Sequence, residues 1–268
     1  MTPSSPPPLG QTGRADEAGH ADRTDAEDRP RAVTSGFTPQ ALEPLLAQTE
    51  EDVSDGRLAR GLRARRAMAE ALVVLLSQGD REPTARAVAQ QAGVSLRLVF
   101  HHFADLNDLY QHAAALDLRR LWTGMPRLTP SLPLPKRIER TVSHRAAQFE
   151  VMTPLRRALT LRMTTSTGIA DVIAASDALL LMNIEDTFSP ELAALASPVR
   201  TEQLDAMDTA ASWEAWDRLR RTSGLPVRMA KRVMSRTLGS LGRDLDRGVE
   251  PHRQDATVPH PKATIAIS

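Results

Sequence analysis

From about Leu58 to Gln78, apolar residues recur three and four positions apart: Met68, Ala71, Leu72, Leu75 and Leu76 share one face of a helix. Gly79 stops that pattern. A short helix then opens at Thr84, whose side chain suits an N-cap, and turns Val88 and Ala89 inward. The run Ala92-Gly93-Val94-Ser95 breaks it. The glycine admits a positive φ in a tight turn, and Ser95 caps a further helix from Leu96 to about His102. Asp105 caps a longer one, Leu106–Leu121. Pro126, Pro130, Pro133 and Pro135 mark a loop. Beyond it the pattern predicts helices at about 136–150, 154–164, 170–187, 201–222 and 226–245. No repeat recurs and no stretch alternates as a strand would, so the expected fold class is all-α.

The two ends lack this order. Residues 1–56 are rich in Pro, Gly, Thr, Asp and Glu and poor in large apolar side chains. Such a segment cannot bury enough surface to offset its ordering entropy, so it reads as a disordered acidic tail. Within it Gln40–Gln48, carrying Leu42, Leu45 and Leu46, suits one or two helical turns. Residues 250–268, with three prolines and no periodicity, read as a second disordered tail. The helical body divides into a first domain at 57–121 and a second at 122–249.

Composition narrows the classes. Ala, Leu and Arg run high, which favours helices, and aromatics are only 3%, so the core is aliphatic. The chain has no cysteine, which excludes disulfides and thiolate metal sites. No run approaches the roughly eighteen apolar residues of a membrane span, and the Pro-rich start lacks the features of a secretory signal. A cytoplasmic protein without membrane contact is expected. The net charge of +1 hides a step: residues 1–56 carry roughly −7, residues 57–121 roughly +4 and the remainder roughly +4.

That basic step surrounds a motif at 84–103. Val88, Ala89 and Ala92 are small enough for two short helices to cross closely, and Gly93 forms the turn of a helix-turn-helix. Val94, Val99 and Phe103 anchor the second helix. Leu96, Arg97, Leu98 and His101 then lie on or near its outer side, where a recognition helix meets base edges. Arg57, Arg60, Arg63, Arg65 and Arg66 crowd the start of the preceding helix. Each alone suits a solvated face; as a cluster they suit phosphate contacts, which orient a protein on DNA without reading sequence.

On these residues, 61–121 resembles the DNA-binding domain of the tetracycline-repressor (TetR) family of regulators. The first helix, the Ala92-Gly93-Val94-Ser95 turn, the Phe100-x-His102-Phe103 ending and Leu109 carry the likeness. It implies a transcription regulator localised to the cytoplasm and nucleoid, a repressor released by a ligand, with a helical second domain that binds a small hydrophobic molecule and forms a homodimer on a palindromic double-stranded operator. DNA contacts are then expected from Arg57, Arg60, Arg65, Thr84, Arg86, Ser95, Leu96, Arg97, Leu98, Phe100, His101 and His102. Two positions depart from the family: Phe100 stands where Tyr is usual and Leu106 where Lys is frequent, and both remove a backbone contact. Leu96 and Leu98 suit thymine methyl groups, and Arg97 suits a bidentate contact to guanine.

The second half carries no phosphate loop and no metal or nucleophile motif, so no enzyme and no cofactor is expected. His101 and His102 point to different sides of a helix and make a poor metal pair. Phe149, Met152, Arg156, Arg157, Leu159 and Met163 suit core or cavity lining. Ser212–Arg220 and the helix from Pro226 resemble the closing helices of many family members. Their apolar residues serve either as core or as a four-helix interface with a second copy. The dimer residues on the latter reading are Trp213, Trp216, Leu219, Arg220, Met229, Val233 and Leu238. The alternative function is a ligand-independent or architectural DNA binder with a closed second domain; a chamber of a few hundred cubic ångströms favours regulation instead. If the acidic tail competes with DNA for the basic face, deleting residues 1–55 tightens binding.

Overall fold

The computed structural model describes residues 56–246; both tails and the expected turns at 40–48 lie outside the described residues, as does the side chain of Arg57. Every element among the described residues is helical. The order is α1 (Gly56–Ser77), α2 (Ala85–Ala92), α3 (Leu96–His102), α4 (Leu106–Gly124), α5 (Leu134–Arg162), α6 (Thr167–Thr187), α7 (Ser189–Ala193), α8 (Ser197–Ala210), α9 (Trp213–Asp217), a π-helical turn (Arg218–Thr222) and α10 (Val227–Asp246).

The first four helices pack around the expected stripe. Met68, Leu72 and Leu76 of α1 are buried with Val88, Ala89, Val99, Phe103 and Leu109. α4 then runs out of this cluster: Leu118 and Leu121 join Met152, Leu155 and Leu159 of α5 and Val172 and Ile173 of α6 in one continuous core. The second half is a bundle in which α5 packs along α10, and α6 packs chiefly along α4.

The bundle departs from the expected boundaries. One helix, α5, replaces the two expected at 136–150 and 154–164, and Pro154 sits inside it. A proline there removes a backbone hydrogen bond and would ordinarily break or kink the helix. Here Phe149, Met152, Leu155, Ala158 and Leu159 are all buried on both sides of it, so packing overrides the local preference. The helix expected at 201–222 is instead α8, α9 and the π turn. Ser212 leaves the helical path and its side chain accepts the Ala215 N–H at 3.1 Å, capping α9. The short α7 was not anticipated. α6 also corrects the reading that no segment is apolar enough to span a membrane: it is long and apolar enough, and over half of that stretch is buried inside the chain.

Buried arginines join the bundle's helix ends. Arg137 Nε donates to Leu132 O at 2.8 Å and its Nη1 to Thr187 O at 2.7 Å, with Glu191 as ion-pair partner. Arg145, 1% exposed, donates to Ala211 O at 2.7 Å and Leu180 O at 2.5 Å. Its burial lowers its pKa to about 10. Carbonyls at or near helix C-termini lack intrahelical partners, and Thr187 and Ala211 find theirs in these guanidiniums.

Candidate nucleic-acid interface

The local geometry of 84–103 follows from its caps. Thr84 is extended (φ −82°, ψ 157°) and its side chain accepts the Ala87 N–H at 3.1 Å. Gly93 is left-handed, φ 68° and ψ 30°. Its N–H donates to Gln90 O at 3.2 Å and that of Val94 to Ala89 O at 2.9 Å, a Schellman closure. No atom lies within 4 Å of where a Cβ would sit at Gly93, so backbone conformation, not space, selects glycine there. Ser95 turns the chain into α3 and accepts the Leu98 N–H at 3.2 Å. Both hydroxyls accept from the backbone and keep a proton to donate outward.

Val99 and Phe103, four residues apart, are each 2% exposed and fix the inner face of α3. Arg97, Phe100 and His101 are exposed on the other side, Phe100 at 56%. This trio shares a face by its spacing of three and four. Leu96 and Leu98 differ from the sequence expectation of exposure: both are half-buried and pack against the core. They support the helix, and the outward face is carried by Arg97, Phe100 and His101. Leu106, likewise half-buried, packs on the same cluster.

Arg65 is placed differently from a solvent-facing cation. Its Nη1 donates to His102 O at 2.5 Å, its guanidinium lies 4.4 Å from the Phe103 ring centroid, and Asp108 stands 4.0 Å away. It ties α1 to the end of α3 and the start of α4. There Asp105 accepts the Asp108 N–H at 2.8 Å and Asp108 accepts the Ala104 N–H at 3.1 Å. His102 is half-buried, and burial first, then His101 and Arg65, lowers its pKa. That shift favours its neutral form. Beneath it His112 is buried, 4% exposed, and burial with the Arg65 charge lowers its pKa to about 4.

Around the motif several arginines are exposed. Arg60, Arg63, Arg86 and Arg97 form no ion pair with any described carboxylate; Arg60 donates to Gly56 O at 3.1 Å. Sequence reasoning overlooked the structural duty of Arg65 because its partners lie 37 and more residues away. Its four-residue spacing from Gly61, against which His102 sits at 3.8 Å from a Cβ position, was the available signal.

In the second half, a small pocket between α4, α5 and α6 has a volume of about 20 Å³ and is lined by Asp117, Met152, Arg156, Leu159, Ile173 and Ser176 among others. That is room for about one water molecule. Among the residues expected at a dimer interface, Trp213, Trp216 and Leu238 are 6%, 1% and 0% exposed within the chain's own core. Trp213 Nε1 donates to Thr153 Oγ1 at 3.0 Å and Trp216 Nε1 to Glu150 at 2.9 Å. Arg220 is held by Glu150 at 2.8 and 3.0 Å. Leu219 and Met229 are half-buried, and Val233 is 38% exposed. No group of three or more metal-ligating side chains gathers among the described residues.

Comparison with known proteins yields no matching family model and no matching curated protein. Among solved structures, the chain is similar to a transcriptional regulator from Rhodococcus sp. Rha1. Identity is 16%, the TM-score is 0.54, and the alignment covers 67% of this chain and 96% of that one. The likeness is one of fold.

Proposed function

We propose that the protein is a sequence-specific, double-stranded-DNA-binding transcription regulator of the TetR type, acting as a homodimer. The observation that carries the reading is the α2–turn–α3 unit. Its second helix is capped by Ser95, seated by Val99 and Phe103, and leaves Arg97, Phe100 and His101 facing outward. A helix so presented enters the major groove, with base edges read by its outward side chains. Thr84, Ser95, Arg57, Arg60 and Arg86 supply phosphate contacts around it. The Rhodococcus protein of like fold is itself a transcriptional regulator.

One short helix reads only a few base pairs, so two copies on a two-fold operator are required for specificity. The exposed side of α10 around Val233, with Met229 and Leu219 beside it, is the dimer surface; Trp213, Trp216 and Leu238 support it from within the core. Occupancy of an operator by such a dimer represses transcription, in the cytoplasm at the nucleoid. Release comes from a ligand that favours a conformation with misplaced recognition helices. A second reading, a ligand-independent binder, is favoured by the small size of the pocket between α4, α5 and α6, only about 20 Å³.

Selection of random duplex DNA by the full chain, at stated salt because phosphate contacts make affinity salt-dependent, tests the proposal. Enrichment of a palindrome with half-sites about 10 base pairs apart, or a multiple of that spacing, is expected. Recovery of unenriched sequence would refute it.

A further inference from the structure

A cleft of about 910 Å³ opens where the end of α1 and the turn after it face α5, α9 and the π turn. Its size is that of a small-molecule site, about 300–1,000 Å³, whereas the pocket between α4, α5 and α6 is far smaller. Its floor is apolar: Leu76, Ala158 and Trp213 are each under 10% exposed. At the rim Leu161 is 71% exposed, an unusual exposure for a large apolar side chain lining a cleft.

The charges around that floor are unequal in availability. Asp217 is clamped by Arg157 at 2.5 and 2.8 Å and by Arg221 at 3.2 Å. Glu214 faces Arg156 at 3.3 Å. Asp80 accepts the Glu82 N–H at 3.1 Å. Arg81 and Arg218 also line the cleft and form no ion pair with any described carboxylate. Two guanidiniums are thus left to meet an anion from outside, and a guanidinium pairs with a carboxylate through two parallel hydrogen bonds.

The wall bearing Arg218 is irregular. Ser223 N–H donates to Arg218 O at 3.0 Å, the wide ring of a π helix, and Arg218, Arg221 and Thr222 of this turn all line the cleft. Such turns are rare and concentrate at functional sites. On the opposite wall Arg81 lies in the turn of Gly79 (φ 98°), three residues before Thr84 opens the helix-turn-helix.

We propose that this cleft binds an organic carboxylate with an apolar body, an aryl or medium-chain acid. The carboxylate lies between Arg81 and Arg218, and the body rests on Leu76, Trp213 and Leu161. A ligand held there touches both the turn that leads into the DNA-reading unit and the bundle, which gives the regulator a ligand site outside that small pocket. Only that consequence rests on the regulator reading; the binding itself does not.

The test is calorimetric titration of the full chain, without DNA, by benzoate, 2-naphthoate, octanoate and decanoate, with the amides of the same acids as neutral counterparts. At least one acid binds at a single site per chain, and its amide binds about tenfold more weakly or worse. The Arg81→Ala/Arg218→Ala variant, altered only at exposed side chains, melts as the parent does and loses about tenfold or more in acid affinity. Leu161→Glu, which removes an apolar contact and sets a like charge at the rim, weakens both and weakens the acid more than its amide. No binding by any acid up to about 5 mM, the regime of the weakest specific contacts, overturns the proposal. So does equal binding of acid and amide, or an unchanged affinity in the double variant. Because no DNA is present, failure here and failure of DNA recognition are separate results.

Discussion

The two halves of the chain are held by different means. In the first, the turns that matter are set by groups within a few residues: Thr84 with Ala87, Gly93 with Gln90, Ser95 with Leu98, Asp105 with Asp108. In the second, the helix ends are set from afar. Arg145 reaches 66 residues to Ala211 and Arg137 reaches 50 to Thr187. Local caps make short helices whose outer faces stay free for a partner. Long-range arginines tie together the helix ends of a bundle.

The largest effect that would break this contrast lies in the bundle. Arg145→Ala leaves the Ala211 carbonyl, at a helix end, without the guanidinium donor, removes a second donor from the Leu180 carbonyl, and opens a void. A stability loss of roughly 3–5 kcal/mol is expected in urea unfolding. A loss below about 1 kcal/mol, within the ordinary surface range, would show that the bundle does not depend on its distant guanidiniums.

Next comes pH, which acts through the first half. His112 is neutral and buried in the folded chain with a pKa of about 4, against 6.5 for an ordinary histidine. Between those values the unfolded chain binds the extra proton, so stability is full above pH 6.5 and falls as pH drops toward 4. The span corresponds to up to about 3 kcal/mol. His112→Leu should flatten that part of the stability–pH curve; an unaltered slope would remove His112 as its cause.

A smaller effect sharpens the local side of the comparison. Gly93→Ala places a Cβ on a left-handed residue (φ 68°) with open space around it. The expected loss is about 1–2 kcal/mol from backbone strain alone, read as a lowered melting midpoint. A neutral result would mean that the turn relaxes without glycine.

The same contrast explains what was legible in the residues. The α2–α3 unit appears at its expected boundaries because Thr84, Gly93, Ser95 and Asp105 encode it within four-residue windows. Leu96 and Leu98 are half-buried where full exposure was expected, since helical periodicity leaves flanking positions ambiguous and packing draws part of each side chain onto the core. In the bundle, the break expected between 150 and 154 is overridden by the buried residues on both sides of Pro154, and the 201–222 pattern concealed the Ser212 cap and the π turn. The tryptophans offered core and interface as equal readings; burial assigns Trp213 and Trp216 to the core of this chain. Arg65 could not be separated from its neighbouring arginines, because its partners lie in other helices.

The outward face of α3 is the centre of the account, and Arg97→Ala tests it most directly. Binding of parent and variant to the selected operator and to a scrambled duplex is compared at one salt concentration. Arg97 is exposed and without an ion-pair partner among the described carboxylates, so the variant keeps its melting temperature. The expected result is a loss of about 1–3 kcal/mol in discrimination at one base position of each half-site, with binding to scrambled DNA little changed. An unchanged ratio between operator and scrambled DNA would contradict Arg97 as the residue that reads the groove.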